Sequence, residues 1–122
     1  MARVVFANVG LEVEAPVGSS VLEAAEECGA PEGSRCGGVR ACSTCHVYVI
    51  AGGQHLSAPS ADELELIALS AREPRDGSRL GCQARIASEG TIEVTISEES
   101  FREYLDANPV ERQRAMDLWR RR

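Results

Sequence analysis

The stretch Cys36-Gly37-Gly38-Val39-Arg40-Ala41-Cys42-Ser43-Thr44-Cys45, answered by a distant cysteine in Ser78-Arg79-Leu80-Gly81-Cys82-Gln83, decides how this chain is read. A spacing of Cys-x5-Cys-x2-Cys puts three soft donors on one loop. Such a loop can curl around a small object while the remote fourth cysteine closes its far side. Sulfur donors of this kind select iron-sulfur clusters or zinc. Structural zinc prefers paired Cys-x2-4-Cys knuckles, and only Cys42 and Cys45 make such a pair. A thioredoxin-like redox pair at those two positions would need a strand-to-helix context that the flanking sequence lacks. Gly37 and Gly38 remove side chains where the backbone has to wrap closely, and they free amide N–H groups to point at bound sulfur. With Ser43 and Thr44 they are the positions expected to tune a cofactor held there.

Strand and helix signals frame the cysteines on both sides. Arg3 to Ala7 and Leu11 to Ala15 flank Asn8-Val-Gly10 and predict a hairpin. Ser20 with Glu23 three residues on is a capping-box signal for a helix that Gly29 stops. A third strand is expected at Val47 to Ile50, directly after the loop. Ser60 with Glu63 repeats the capping signal ahead of Leu64, Leu66, Ile67 and Leu69. Gln83 to Ile86 and Thr91 to Ile96 read as closing strands around a Ser88-Glu-Gly90 turn. The fold class expected is α+β, a mixed sheet with one crossing helix. Residues 1–97 would form that domain and residues 98–122 a C-terminal helical tail, because Phe101, Tyr104 and Leu105, and then Ala115, Met116, Leu118 and Trp119, fall on helical stripes broken by Asn108-Pro109. The tail's apolar stripe is expected to pack on the chain's own sheet; the alternative is a surface for a partner.

Length and charge limit the functions open to the chain. At 122 residues it fits one domain and has no need of disulfides to hold a core. An odd count of five cysteines, tightly spaced, favours ligation in a reducing compartment over a secreted disulfide framework. The formal charge is −6. All of it belongs to residues 1–97, which hold thirteen acids and seven arginines, while residues 98–122 hold six of each. Such a body repels phosphates, so no nucleic-acid partner is expected, and binding faces on partners should be basic. No apolar run is long enough to span a membrane, and a cytoplasmic monomer is expected.

Four stretches carry a family resemblance: Cys36 to Cys42, Cys42-Ser-Thr-Cys45-His46, Leu56-Ser-Ala-Pro59 and Ser78-Arg-Leu-Gly-Cys82-Gln83. Plant-type ferredoxins use Cys-x4-Cys-x2-Cys plus a remote cysteine. With one more residue in the first gap, this chain resembles the [2Fe-2S] ferredoxins of the adrenodoxin and putidaredoxin type, together with the bacterial ferredoxins of iron-sulfur assembly, over residues 2–97. The resemblance implies a β-grasp fold and a [2Fe-2S] cluster ligated by Cys36, Cys42, Cys45 and Cys82, with Cys36 and Cys42 on the outer iron and the other two on the inner one. It implies a one-electron carrier, not an enzyme. The electrons would come from an NAD(P)H-dependent flavoprotein ferredoxin reductase and go to a cytochrome P450 or similar redox acceptor, or alternatively to iron-sulfur assembly. It also implies a docking helix at Asp62, Glu63 and Glu65, and a hydrogen bond from His46 toward the segment of the Ser60 helix. The reading from a different class is a zinc-bound interaction module.

Three other residues invite chemistry without needing it. Cys28 reads as a small buried apolar residue, or as a substitute ligand if Cys36 is lost. His46 and His55 are not asked to make a Rieske centre, since four cysteines already complete a shell.

Overall fold

Alternation of apolar and polar residues sets the first two strands. In Ala2–Phe6 (β1), Ala2, Val4 and Phe6 are buried while Arg3 faces out, and Leu11–Ala15 (β2) turns Glu12 and Glu14 to solvent. A computed structural model describes residues 1–33, 45–71 and 73–120. Cys36, Gly37, Gly38, Cys42, Ser43 and Thr44 therefore lie outside the described residues. The strands that follow are His46–Ala51 (β3), Ser78–Leu80 (β4) and Thr91–Ile96 (β5). They form one sheet in the order β2-β1-β5-β3-β4, with β1 and β5 parallel and the other neighbours antiparallel. A parallel pair needs a long crossover, and here that crossover holds the whole cysteine-bearing region. Charged Glu12 and Glu14 on edge strand β2 discourage pairing with another chain.

Val21–Cys28 (α1) crosses the sheet. Ser20 and Glu23 make the expected capping box at 3.0 and 2.9 Å, and the helix ends at Gly29 in the left-handed region. Val21, Ala24 and Ala25 join Phe6, Ile92, Val94 and Ile96 in the main core. Ala61–Ser70 (α2) starts at Ser60, whose hydroxyl accepts from Glu63 N at 3.1 Å. Glu63 does not return the bond; its carboxylate turns to Arg79 and Leu80 N on β4.

The expected closing strand at Gln83 to Ile86 is not a strand. Gln83 N and Ala84 N both fold back onto Leu80 O at 2.9 Å, so those donors are spent on the turn that carries Cys82. Arg85 and Ile86 make only isolated bridges, to Ser20 and Leu56. The extended segment lies just upstream instead, as β4.

The chain ends in Glu98–Ala107 (α3), a turn at Pro109–Glu111 and Arg112–Arg120 (α4). Phe101, Leu105 and Ala115 are buried in the main core, and Trp119 stacks on Phe101 with ring centroids 4.2 Å apart. The apolar stripe thus packs on the chain's own body.

Candidate metal centre

The pairing of β3 with β4 brings two of the five cysteines together. His46 stands opposite Leu80, Cys45 precedes β3, and the turn after β4 carries Cys82. Gly81 N donates to Cys45 O at 2.9 Å, which fixes the two chain segments at the same end of the sheet. The sulfur atoms of Cys45 and Cys82 are 3.3 Å apart, and both residues are buried. Sulfurs on one tetrahedral metal, with bonds of about 2.3 Å, lie about 3.8 Å apart, whereas a disulfide needs about 2.05 Å. The observed separation suits shared ligation, and both cysteines are free thiols.

The proton balance of the pair also suits a metal. Cys45 donates to Cys82, and that hydrogen bond together with burial pushes the Cys45 thiol up. The same bond, helped by Gln83 Nε2 at 3.4 Å, pulls Cys82 down to about 6 against its own burial. A bound cation takes both sulfurs as thiolates. Leu22, Ile67 and Leu80 wall the sulfurs from water. Among the described residues no group of three or more His, Cys, Asp or Glu side chains forms a metal shell.

Two buried arrangements hold this corner in place. Arg79 Nε and Nη2 reach Glu63 at 2.7 and 3.2 Å, Leu80 N donates to the same carboxylate at 3.0 Å, and Arg79 Nη1 donates to Ser57 O at 2.7 Å. Helix α2 is thereby bolted to the strand that leads into Cys82. The second arrangement is His46, fully buried, with Nε2 sharing a 2.9 Å hydrogen bond with Ser78 Oγ and Nδ1 3.8 Å from Glu99 on α3. Burial, with some help from Arg75, holds its pKa down at about 4. His46 thus links β3 to β4 and α3 rather than to the Ser60 helix.

The docking trio separates. Asp62 and Glu65 are exposed on α2, but Glu63 is 1% exposed and committed to Arg79. Its charge is not offered to a partner. The outward face of α2 also shows Leu64 and Leu69. Cys28 is half-buried at the end of α1, its thiol pushed up by burial.

One neighbour of the pair has no counterpart in the sequence reading. Glu32 is 4% exposed, and among the described residues neither of its carboxylate oxygens has a hydrogen-bond partner. Its carboxylate lies directly over the α-carbon of Gly81, so any Cβ there would collide with it. Burial, reinforced by Cys82 and Glu26, pushes this carboxyl well above the usual range.

Residues 5–87 match the 2Fe-2S iron-sulfur cluster binding domain. The chain belongs to the [2Fe-2S] ferredoxins. Among solved structures, the ferredoxin is similar to the ISC-like [2Fe-2S] ferredoxin FdxB of Pseudomonas putida JCM 20004, at 32% identity and a TM-score of 0.63, covering 80% of this chain and 94% of that one. Reduced putidaredoxin from Pseudomonas putida gives 30% identity and a TM-score of 0.69, with 81% and 99% covered. Putidaredoxin also matches in its covalent complex with putidaredoxin reductase, at 25% identity and a TM-score of 0.62, with 79% and 100% covered. Chlorosome protein J of Chlorobaculum tepidum is 41% identical over 88 residues, 72% of this chain but only 38% of that protein. The ferredoxin thus spans less than two fifths of that relative's length. The β-grasp fold and the [2Fe-2S] cofactor stand as expected. Among the described residues, no helix is long and apolar enough to cross a membrane.

Proposed function

We propose that this ferredoxin takes single electrons from an NAD(P)H-dependent flavoprotein reductase and delivers them to a cytochrome P450 or a similar acceptor, with Cys36, Cys42, Cys45 and Cys82 as the cluster ligands. The observation that carries the ligand assignment is the buried Cys45–Cys82 pair at 3.3 Å inside the matched segment. Bound there, a [2Fe-2S] cluster supplies a one-electron couple. The protein's part is to keep its own geometry unchanged. The Glu63–Arg79 pair, the Gly81–Cys45 hydrogen bond and the Leu22, Ile67 and Leu80 wall hold both sulfurs fixed, which keeps reorganisation on electron transfer small. Four protein ligands leave no position open for substrate. Residues 1–97 are the carrier domain in this reading, and a cluster held by cysteine ligands suits a reducing compartment such as the cytoplasm.

The reductase is supported by the likeness to putidaredoxin held in its reductase complex. Asp62 and Glu65 on α2 are the docking charges, meeting arginine or lysine on a monomeric carrier's transient partners. Leu64 and Leu69 add a short-range apolar contact beside them. The likeness to an ISC-like ferredoxin supports a second reading, electron supply to iron-sulfur assembly. Single Cys→Ser variants at the four positions test the ligand set: each should lose the visible absorption of the cluster, while Cys28→Ser keeps it. Stopped-flow reduction by candidate reductases, followed by turnover with a P450 or an assembly complex, then separates the two acceptors.

A further inference from the structure

Helices α3 and α4 follow the family match, which ends at residue 87. They nevertheless grip the chain just before the cysteine loop. Gly33 N donates to Ser100 Oγ at 2.8 Å and to Ser100 O at 3.1 Å, across a separation of 67 residues. The fit is close enough that a Cβ at Gly33 would stand 2.5 Å from Ser100 O and 2.7 Å from Glu103 Cβ. Four residues upstream, Arg114 of α4 donates to Gly29 O at 2.9 Å while also bonding the Tyr104 hydroxyl at 2.8 Å and Glu111 at 2.6 Å. Residues 29–33 are therefore pinned at both ends by the tail.

The residue between those pins reaches the other way. Glu32, next to Gly33, lays its carboxyl, which has no hydrogen-bond partner among the described residues, over Gly81, the residue before Cys82. Beside it an open cavity of about 280 Å³ is lined by Leu22, Glu26, Glu32, Gly33, Tyr104 and Asn108. At about 30 Å³ per water it has room for a displaced carboxylate and its hydration. A buried carboxyl with no hydrogen bond gains by moving there. What keeps it over Gly81 is the fixed backbone on either side.

We propose that the C-terminal helices are a clamp, with Ser100 and Arg114 as positioning residues that hold Glu32 over Gly81 and so shield the Cys82 side of the cluster from water. The proposal rests on Cys45 and Cys82 being cluster ligands. Loosening the clamp lets Glu32 swing into the cavity and water reach the Cys82 turn, so the cluster is lost faster. The reduction potential rises as well, because water solvates the more negative reduced state better than a buried, unhydrated carboxyl does.

The test uses the full-length holoprotein and the variants Arg114→Met and Gly33→Ala, with Arg114→Lys as the conservative partner. Cluster loss to an iron chelator is followed by visible absorbance, the midpoint potential by dye-mediated titration, and exchange of the Gly33 amide by mass spectrometry. Arg114→Met should speed cluster loss about fivefold, the population change from one hydrogen bond of ordinary net strength, and should raise the potential and speed amide exchange. Arg114→Lys should recover part of each. Gly33→Ala, acting as a wedge, should exceed Arg114→Met; if it does not fold, Arg114→Met still decides. Unchanged cluster loss and potential in a coloured Arg114→Met protein would overturn the clamp alone. A colourless wild type would remove the ligand assignment and the clamp with it.

Discussion

Replacing Glu63 with glutamine separates two roles for an acidic residue on α2. The carboxylate lies 2.7 Å from Arg79 Nε, 3.2 Å from Nη2 and 3.0 Å from Leu80 N, with side-chain exposures of 1% for Glu63 and 10% for Arg79. Glutamine keeps one oxygen for these donors but leaves the guanidinium charge uncompensated in a dry site. Breaking a buried pair in this way costs about 3–5 kcal/mol, and the retained amide oxygen puts this variant near 3. For a domain of this size each kcal/mol moves Tm by about 4 °C, so Glu63→Gln should melt about 12 °C lower by differential scanning calorimetry. A double variant, Glu63→Leu with Arg79→Leu, should regain more than half of the loss, since two apolar side chains bury no orphaned charge, although Leu80 N and Ser57 O still lose their partners. A Glu63→Gln protein that melts within about 2 °C of wild type but accepts electrons more slowly from a reductase would refute this reasoning and restore Glu63 to the docking face.

Other perturbations give equally direct readouts. Neutralising Asp62 and Glu65 together should slow reduction by a flavoprotein reductase by up to about 30-fold at low salt, at up to about 1 kcal/mol per exposed charge, and the difference should shrink as ionic strength rises. Gly81→Ala, whose new methyl meets the Glu32 carboxylate and stands 3.2 Å from Cys45 O, should cost about 1–3 kcal/mol from overpacking and lower the iron content of purified protein; adding Glu32→Ala should restore part of both. His46 is kept neutral, with a folded pKa of about 4, below its unfolded value of about 6.5. Its contribution is therefore complete above about pH 6.5 and is lost as pH falls toward 4, by at most about 3 kcal/mol; chemical denaturation of the apoprotein at pH 7 and pH 5 should show a pH slope that His46→Asn flattens. Deleting residues 98–122 removes Phe101, Leu105 and Ala115 from the core and should lower Tm by more than about 15 °C, from several kcal/mol of lost burial.

Local signals read correctly wherever short-range chemistry decides the outcome. Ser20 with Glu23, Gly29, Ser60 and Pro109 all stand at helix ends as the sequence implies, because a cap is settled by residues three or four positions away. Spacing asks only for a remote fourth cysteine; that Cys82 should stand with Cys45 is what the family resemblance implies, and their sulfurs are 3.3 Å apart. Gln83 to Ile86 is not a strand because the Gln83 and Ala84 amides are claimed by Leu80 O, a turn that the β-prone composition does not encode. Glu63 failed as a docking residue for a related reason. An acid near a helix start has the same sequence signature whether it faces solvent or an arginine 16 residues away. Glu32 and Ser100 carry no sequence signal at all; their roles exist only because α3 folds back over residues 29–33.

The most direct test of the account is electron paramagnetic resonance of the anaerobically purified protein, before and after reduction, with spins counted against chemically determined iron and acid-labile sulfide. A [2Fe-2S] cluster held by these cysteines should be silent when oxidised and, after uptake of one electron per cluster, give a signal that integrates to one spin for each pair of irons and disappears in Cys45→Ser and Cys82→Ser. A colourless protein containing zinc, or a full signal that survives loss of Cys82, would contradict it.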